Sequence, residues 1–127
     1  MKYIVQTSKS VEQAVADLQT AVVRHKFGVL HIHNLQETLK KKGVEFPNAC
    51  QILEICNPQS AKEVLMVDME LNMALPCRVS VYSEQGQTKI GMIRPTAMLK
   101  ALSDSPKLEA IAKEVEVALI AMIDESV

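Results

Sequence analysis

Apolar and polar positions alternate with a period of two in five stretches of this chain, and they recur with a helical period in most of the intervals between them. Lys2 to Gln6 reads as the first strand. Ser10 with Gln13 then forms a capping box, and Val11, Ala14, Val15, Leu18 and Val22 make the stripe of a helix running to about Lys26. Phe27 to His33 alternates around Gly28 as the second strand. Asn34 caps a short helix in which Glu37 completes the box, Lys40, Lys41 and Lys42 complement the negative end, and Gly43 is the stop. Cys50 to Cys56 reads as a third strand, and Asn57-Pro58 as an N-cap followed by proline at the first helical position, with Ala61, Val64 and Leu65 on the buried face. Cys77 to Ser83 and Thr88 to Ile93 form an antiparallel hairpin turned by Gln85-Gly86. Pro95 opens a short helix. Ser105-Pro106 opens the last one, striped by Leu108, Ile111, Ala112, Val115, Leu119 and Met122.

This pattern predicts one α+β domain over residues 1–127: two layers, with helices on one face of a mainly antiparallel sheet. No repeat, low-complexity segment or linker divides it. Near the end of the last helix, Val117, Ile120, Ala121 and Ile123 spread the apolar stripe beyond one core face, which predicts a second covering surface, most simply the partner in a homodimer.

Composition narrows the function classes. A length of 127 residues and 48% hydrophobic content suit one globular core, while a formal net charge of −1 provides no field to draw in nucleic acid or an anionic membrane. Aromatic residues make up 3% of the chain, thin material for stacking bases, so no nucleic-acid partner is expected. The absence of a long apolar run and of a secretory core after Met1 predicts no membrane association. An odd count of three cysteines suits free thiols in a reducing, cytoplasmic setting.

Candidate chemistry gathers between Cys50 and Cys77. Alternation puts Leu53 and Ile55 on one face and Ile52, Glu54 and Cys56 on the other; in the second strand, Leu30 and Ile32 oppose Val29, His31 and His33. If Leu and Ile mark the helix-covered side, then His31, His33, Glu54 and Cys56 share the opposite face, and these are ligand types that zinc, iron or haem accept. Neither a C-x-x-C nor an H-E-x-x-H spacing is present. Cys56 precedes a helix N-terminus, whose positive end lowers a thiol pKa, and Cys77 is a possible bridging thiol if the two approach. Glu54, inside an apolar run, requires a partner, for which Arg78 or Arg94 is expected. Among the methionines, Met66, Met69 and Met73 could line an adaptable pocket.

With the residues between Glu54 and Pro95 in view, the chain resembles the bacterial and archaeal family known as domain of unknown function 302, over close to its full length. The resemblance rests on Glu54-Ile55-Cys56-Asn57-Pro58, the Ala61 to Leu65 helix, Leu75-Pro76-Cys77-Arg78-Val79, and the hairpin from Tyr82 to Ile93. It implies a curved antiparallel sheet backed by helices, similar to one repeat of the TATA-binding-protein fold and often dimeric, without implying DNA binding. Glu54, Cys56, Asn57, Pro58, Pro76 and Cys77 carry over as motif positions; Cys50 does not. The expectation is a non-enzymatic homodimer binding a small ligand, a metal or a haem-like group at the exposed sheet face through Cys56, Glu54 and His31, with His33 and Cys77 as further candidates. The alternatives are a thiol redox enzyme using Cys56 and Cys77, and a purely structural or partner-binding dimer.

Overall fold

Local capping chemistry decides where most of the helices begin. In a computed structural model describing residues 1–127, the elements follow in the order β1 (Lys2–Thr7), α1 (Val11–Arg24), β2 (Gly28–Asn34), α2 (Leu35–Lys41), β3 (Cys50–Cys56), α3 (Pro58–Val67), a 3-10 helix (Met69–Ala74), β4 (Cys77–Glu84), β5 (Gln87–Ile93), α4 (Pro95–Lys100) and α5 (Pro106–Glu125). Ser10, Asn34, Asn57 and Ser105 each accept a hydrogen bond from the backbone N–H three residues on, satisfying a donor that the helix itself leaves free. Helix α1 ends at Arg24 because Lys26 turns left-handed at φ 64°, letting the N–H groups of Lys26 and Phe27 reach the carbonyls of Val23 and Val22. At the hairpin, Gln85 and Gly86 both take positive φ, 52° and 77°, the conformation that matches the twist of two strands joined by a two-residue loop.

Helix α4 is capped differently. Its preceding residue, Arg94, makes no side-chain cap, and the carboxylate of Glu116 on α5 takes that place, accepting from the Thr96 N–H at 3.1 Å and the Thr96 hydroxyl at 2.7 Å, with Arg94 at 3.5 Å. Glu116→Ala should therefore lower stability by about 1–2 kcal/mol, because it strands the half-buried Thr96 donors as well as removing a cap. Chemical denaturation reads this directly, and an unchanged midpoint would exclude the capping role.

The five strands form one open antiparallel sheet in the order β1-β5-β4-β3-β2. One face is packed by Leu53 and Ile55, Val79 and Val81, and Ile90 and Met92 against α1 and the C-terminal half of α5. A second cluster joins Val64, Leu71 and Leu99 to Leu108, Ile111 and Ala112, so α3, the 3-10 helix and α4 pack on the N-terminal half of α5. A single helix thus seals both cores. Tyr3 ties the far end of α5 to β1 by donating to Asp124 at 2.5 Å.

Two expectations change here. Leu30 does not mark the covered side: the ladder between β2 and β3 shifts between Val29 and His31, leaving Leu30 at 62% exposure while Val29 packs on the core. A bulge adds one residue and inverts the alternation before it. The wide stripe of α5 is consumed within the protomer, since Ile123 is fully buried and Ile120 and Ala118 pack on the same core; of the four widening residues only Val117 stands exposed. The stripe therefore calls for no second copy.

Candidate functional site

The face of the sheet opposite the main core carries no helix across its centre, and the strand register arranges its side chains in rows. One row reads His33, Ile52, Ser80, Gly91 and Ile4 from β2 to β1. The next begins His31, Glu54, Arg78, and Ile93 with its partner Lys2 extends it. Gly91 is required by close approach: a Cβ there would lie 3.0 Å from the Ile4 side chain and 3.3 Å from the Tyr3 carbonyl. With Ser80 and Gly91 adjacent, the middle of this face is shallow, and bulk rises around it.

Against this floor, the 3-10 helix and α4 bring up a wall. Ile52, Arg78, Ser80 and Ile93 from the sheet, Met73 and Leu75, and Met98 line an open groove of about 470 Å³, well within the size of small-molecule sites. Pro76 also lines it. Two clefts of similar size, beside Gln36 and Phe46 and beside Lys9 and Gln87, are lined mainly by polar residues and include none of these candidates. Met73 joins the groove as an adaptable pocket residue, whereas Met66 and Met69, exposed as Met73 is, lie outside its lining.

The expected gathering of His31, His33 and Glu54 on one face is present, although it arises from the bulge and not from Leu30. Glu54 lies 3.2 Å from His33 and 4.0 Å from Arg78, and the two imidazoles meet edge to face with centroids 4.4 Å apart. Arg78 is thus the arginine nearest Glu54; Arg94 is engaged by Glu116 and the Tyr3 ring. A metal centre is a different matter. Nowhere do three His, Cys, Asp or Glu side chains converge closely enough to hold a metal ion, so this cluster is a row of polar contacts and not a site where several side chains share a metal.

Cys56 separates from that cluster. Together with Cys77 it borders a small apolar cavity of about 30 Å³ at the junction of the two cores, among Val64, Leu75, Leu99, Ile111 and Val115. The register sets Cys77 opposite Ile55, one residue from Cys56, and all three thiols are free. The helix N-terminus does not activate Cys56 as expected: burial pushes its thiol pKa up, as it does that of Cys50. For Cys77, burial first and a neighbouring Cys56 charge second push the thiol up to about 11. Two protonated thiols are a poor starting point for nucleophilic redox chemistry. The remaining motif positions are architectural: Asn57 caps α3 by accepting from the Ser60 N–H at 3.0 Å, and Pro58 occupies its first turn. The groove itself went unseen in the sequence, since its wall and floor come from segments brought together only by the fold.

No helix is long and apolar enough to cross a membrane. No curated protein matches the chain. A crystal structure of an uncharacterised conserved DUF302 protein from Bacillus stearothermophilus is 37% identical over 99% of this chain and 98% of that one, with a TM-score of 0.92. The family model described as Domain of unknown function DUF302 matches residues 3–126, and with this fold shared along the whole length of a homologue, the chain belongs to the DUF302 family.

Proposed function

We propose that the protein is a non-enzymatic binding protein that holds a small molecule with an apolar body in the groove on the open sheet face. The observation that carries this reading is the groove itself: about 470 Å³ of open space lined mainly by Ile52, Met73, Leu75, Ile93 and Met98, with Arg78 as the charged residue in its lining. Methionine side chains adapt to irregular shapes, and burying Met73 and Ile93, 77% and 51% exposed, rewards an occupant at about 25 cal/mol per Å² of apolar surface covered. Glu54 and His31 take part as neighbours of Arg78 in the flanking row. Cys56 does not, because it borders the interior cavity.

N-phenyl-1-naphthylamine, an uncharged probe that brightens in apolar surroundings, tests the reading. Its fluorescence should rise saturably on titration, and Ile93→Glu should weaken the apparent affinity at least about tenfold by placing a charge where the apolar body lies. Ile93 is half exposed, so the substitution removes no side chain from either core, and an unchanged denaturation midpoint is the check that the variant keeps its fold. An unchanged titration in Ile93→Glu would remove the reading. So would sedimentation showing a dimer that Ile93→Glu dissociates, since a second copy would then occupy this face.

A further inference from the structure

We infer that the groove selects an organic anion: a carboxylate-type head group at Arg78 with an aliphatic body lying over Ile52, Ile93, Met73 and Met98. The inference rests on the groove reading above and deepens it. Its ground is the distribution of charge on the open face. Lys89 is occupied at the hairpin end by Glu84 at 2.8 Å. Glu54 lies against His33 at 3.2 Å, whereas its 4.0 Å separation from Arg78 is too long for a hydrogen bond. The Arg78 guanidinium, with 64% of its side chain exposed, therefore meets Glu54 only as a long ion pair and makes no side-chain hydrogen bond, which leaves its donors open toward the groove, and Lys2 stands at the far end of the same row.

A guanidinium with open donors beside an apolar trough has a specific complement. Its planar fork donates two parallel hydrogen bonds to a carboxylate, stronger than bonds between neutral groups, and the trough takes the chain attached to it. Ser80, on the groove floor two residues along β4, offers a hydroxyl donor to the same head group. Glu54 sharpens the choice: its carboxylate backs the Arg78 row and repels an anion that enters from the β2 side, so the head group is held on the groove side of Arg78. A cationic or uncharged amphiphile would gain only the apolar contacts.

Displacement of N-phenyl-1-naphthylamine by octanoate and by 1-octanol, which share a chain and differ in the head group, tests this. Octanoate should displace the probe at a concentration at least tenfold lower than octanol, and Arg78→Gln should erase that difference when each displacement is scaled to the variant's own probe affinity. Labelled methionine methyl groups give an independent readout: the Met73 and Met98 signals should shift with octanoate in the natural chain and need at least tenfold more in Arg78→Gln. Equal displacement by acid and alcohol, or an octanoate preference that survives Arg78→Gln, would overturn the anion assignment and leave the groove reading standing. Probe binding that fails altogether, with no methionine shift on adding octanoate, would overturn both.

Discussion

Leu119→Ala is expected to destabilise the whole molecule, and Leu108→Ala to loosen only one end of it, although both remove the same atoms from the same helix. Each leucine is 1% exposed, and each truncation should cost about 2–5 kcal/mol by lost burial and the cavity left behind. The difference lies in what each one packs against. Leu119 belongs to the cluster that fastens the sheet to α1 and α5, so its loss is felt by every strand. Leu108 belongs to the cluster of α3, the 3-10 helix and α4, which makes few connections to the sheet except through α5. Native-state hydrogen exchange should show protection falling throughout β3, β4 and β5 in Leu119→Ala, but mainly in Val64 to Lys100 outside the strands in Leu108→Ala. Because Met73 and Met98 are mounted on that loosened region, Leu108→Ala should also weaken probe binding. Identical exchange patterns for the two variants would show that α5 couples the clusters into one cooperative unit.

The second large effect concerns Cys77. With its thiol pushed up to about 11 from the ordinary value of 9.0, it holds a proton through a range in which an unfolded thiol has already lost one. The folded state then binds more protons than the unfolded state between pH 9 and about 11, so stability is complete below that window and falls as pH rises through it, by about 2–3 kcal/mol in total. Tyr3, raised chiefly by its hydrogen bond to Asp124, changes stability in the same direction at high pH, so the measurement is a comparison with Cys77→Val. That substitution adds a methyl group beside the cavity of about 30 Å³, which has room for it. Urea unfolding from pH 8 to 11 should fall more steeply in the natural chain than in Cys77→Val. At pH 8 the same shift predicts iodoacetamide alkylation of folded Cys77 about a hundredfold slower than in urea, because the thiolate fraction drops by that factor. Parallel pH slopes and equal alkylation rates would together contradict a buried, protonated thiol.

What was legible in the sequence was whatever depends on neighbours in the chain. The caps at Ser10, Asn34, Asn57 and Ser105, the hairpin at Gln85 and Gly86, and the helical stripes all follow from local geometry, and they place the elements and the α+β class. The failures share a cause. Alternation misplaces Leu30 because one bulged residue leaves the strand's composition intact and reverses its faces, and only the partner strand reveals the slip. The Glu116 cap lies twenty residues from the Thr96 it serves, beyond any capping box. The dipole of α3 alone would lower the Cys56 thiol pKa, but tertiary burial raises it. His33 became the nearest partner of Glu54 only once β2 and β3 were paired, and the groove needed β3, β4, β5, α4 and the 3-10 helix at once.

The pairing of β1 with β5 alone carries a consequence for how this chain is made. β1, made before the other strands of its sheet, has no partner until β5 follows it, and Tyr3 must wait longer still for Asp124 on α5. Throughout that interval the backbone of β1 has no ladder to join, while α1 can meet only the part of its core that β2, β3 and β4 supply. Contacts of such long sequence separation slow folding and lengthen exposure to aggregation. A ribosome-bound chain halted before β5 should therefore remain open to protease at β1, and acquire protection there only after β5 and α5 have emerged.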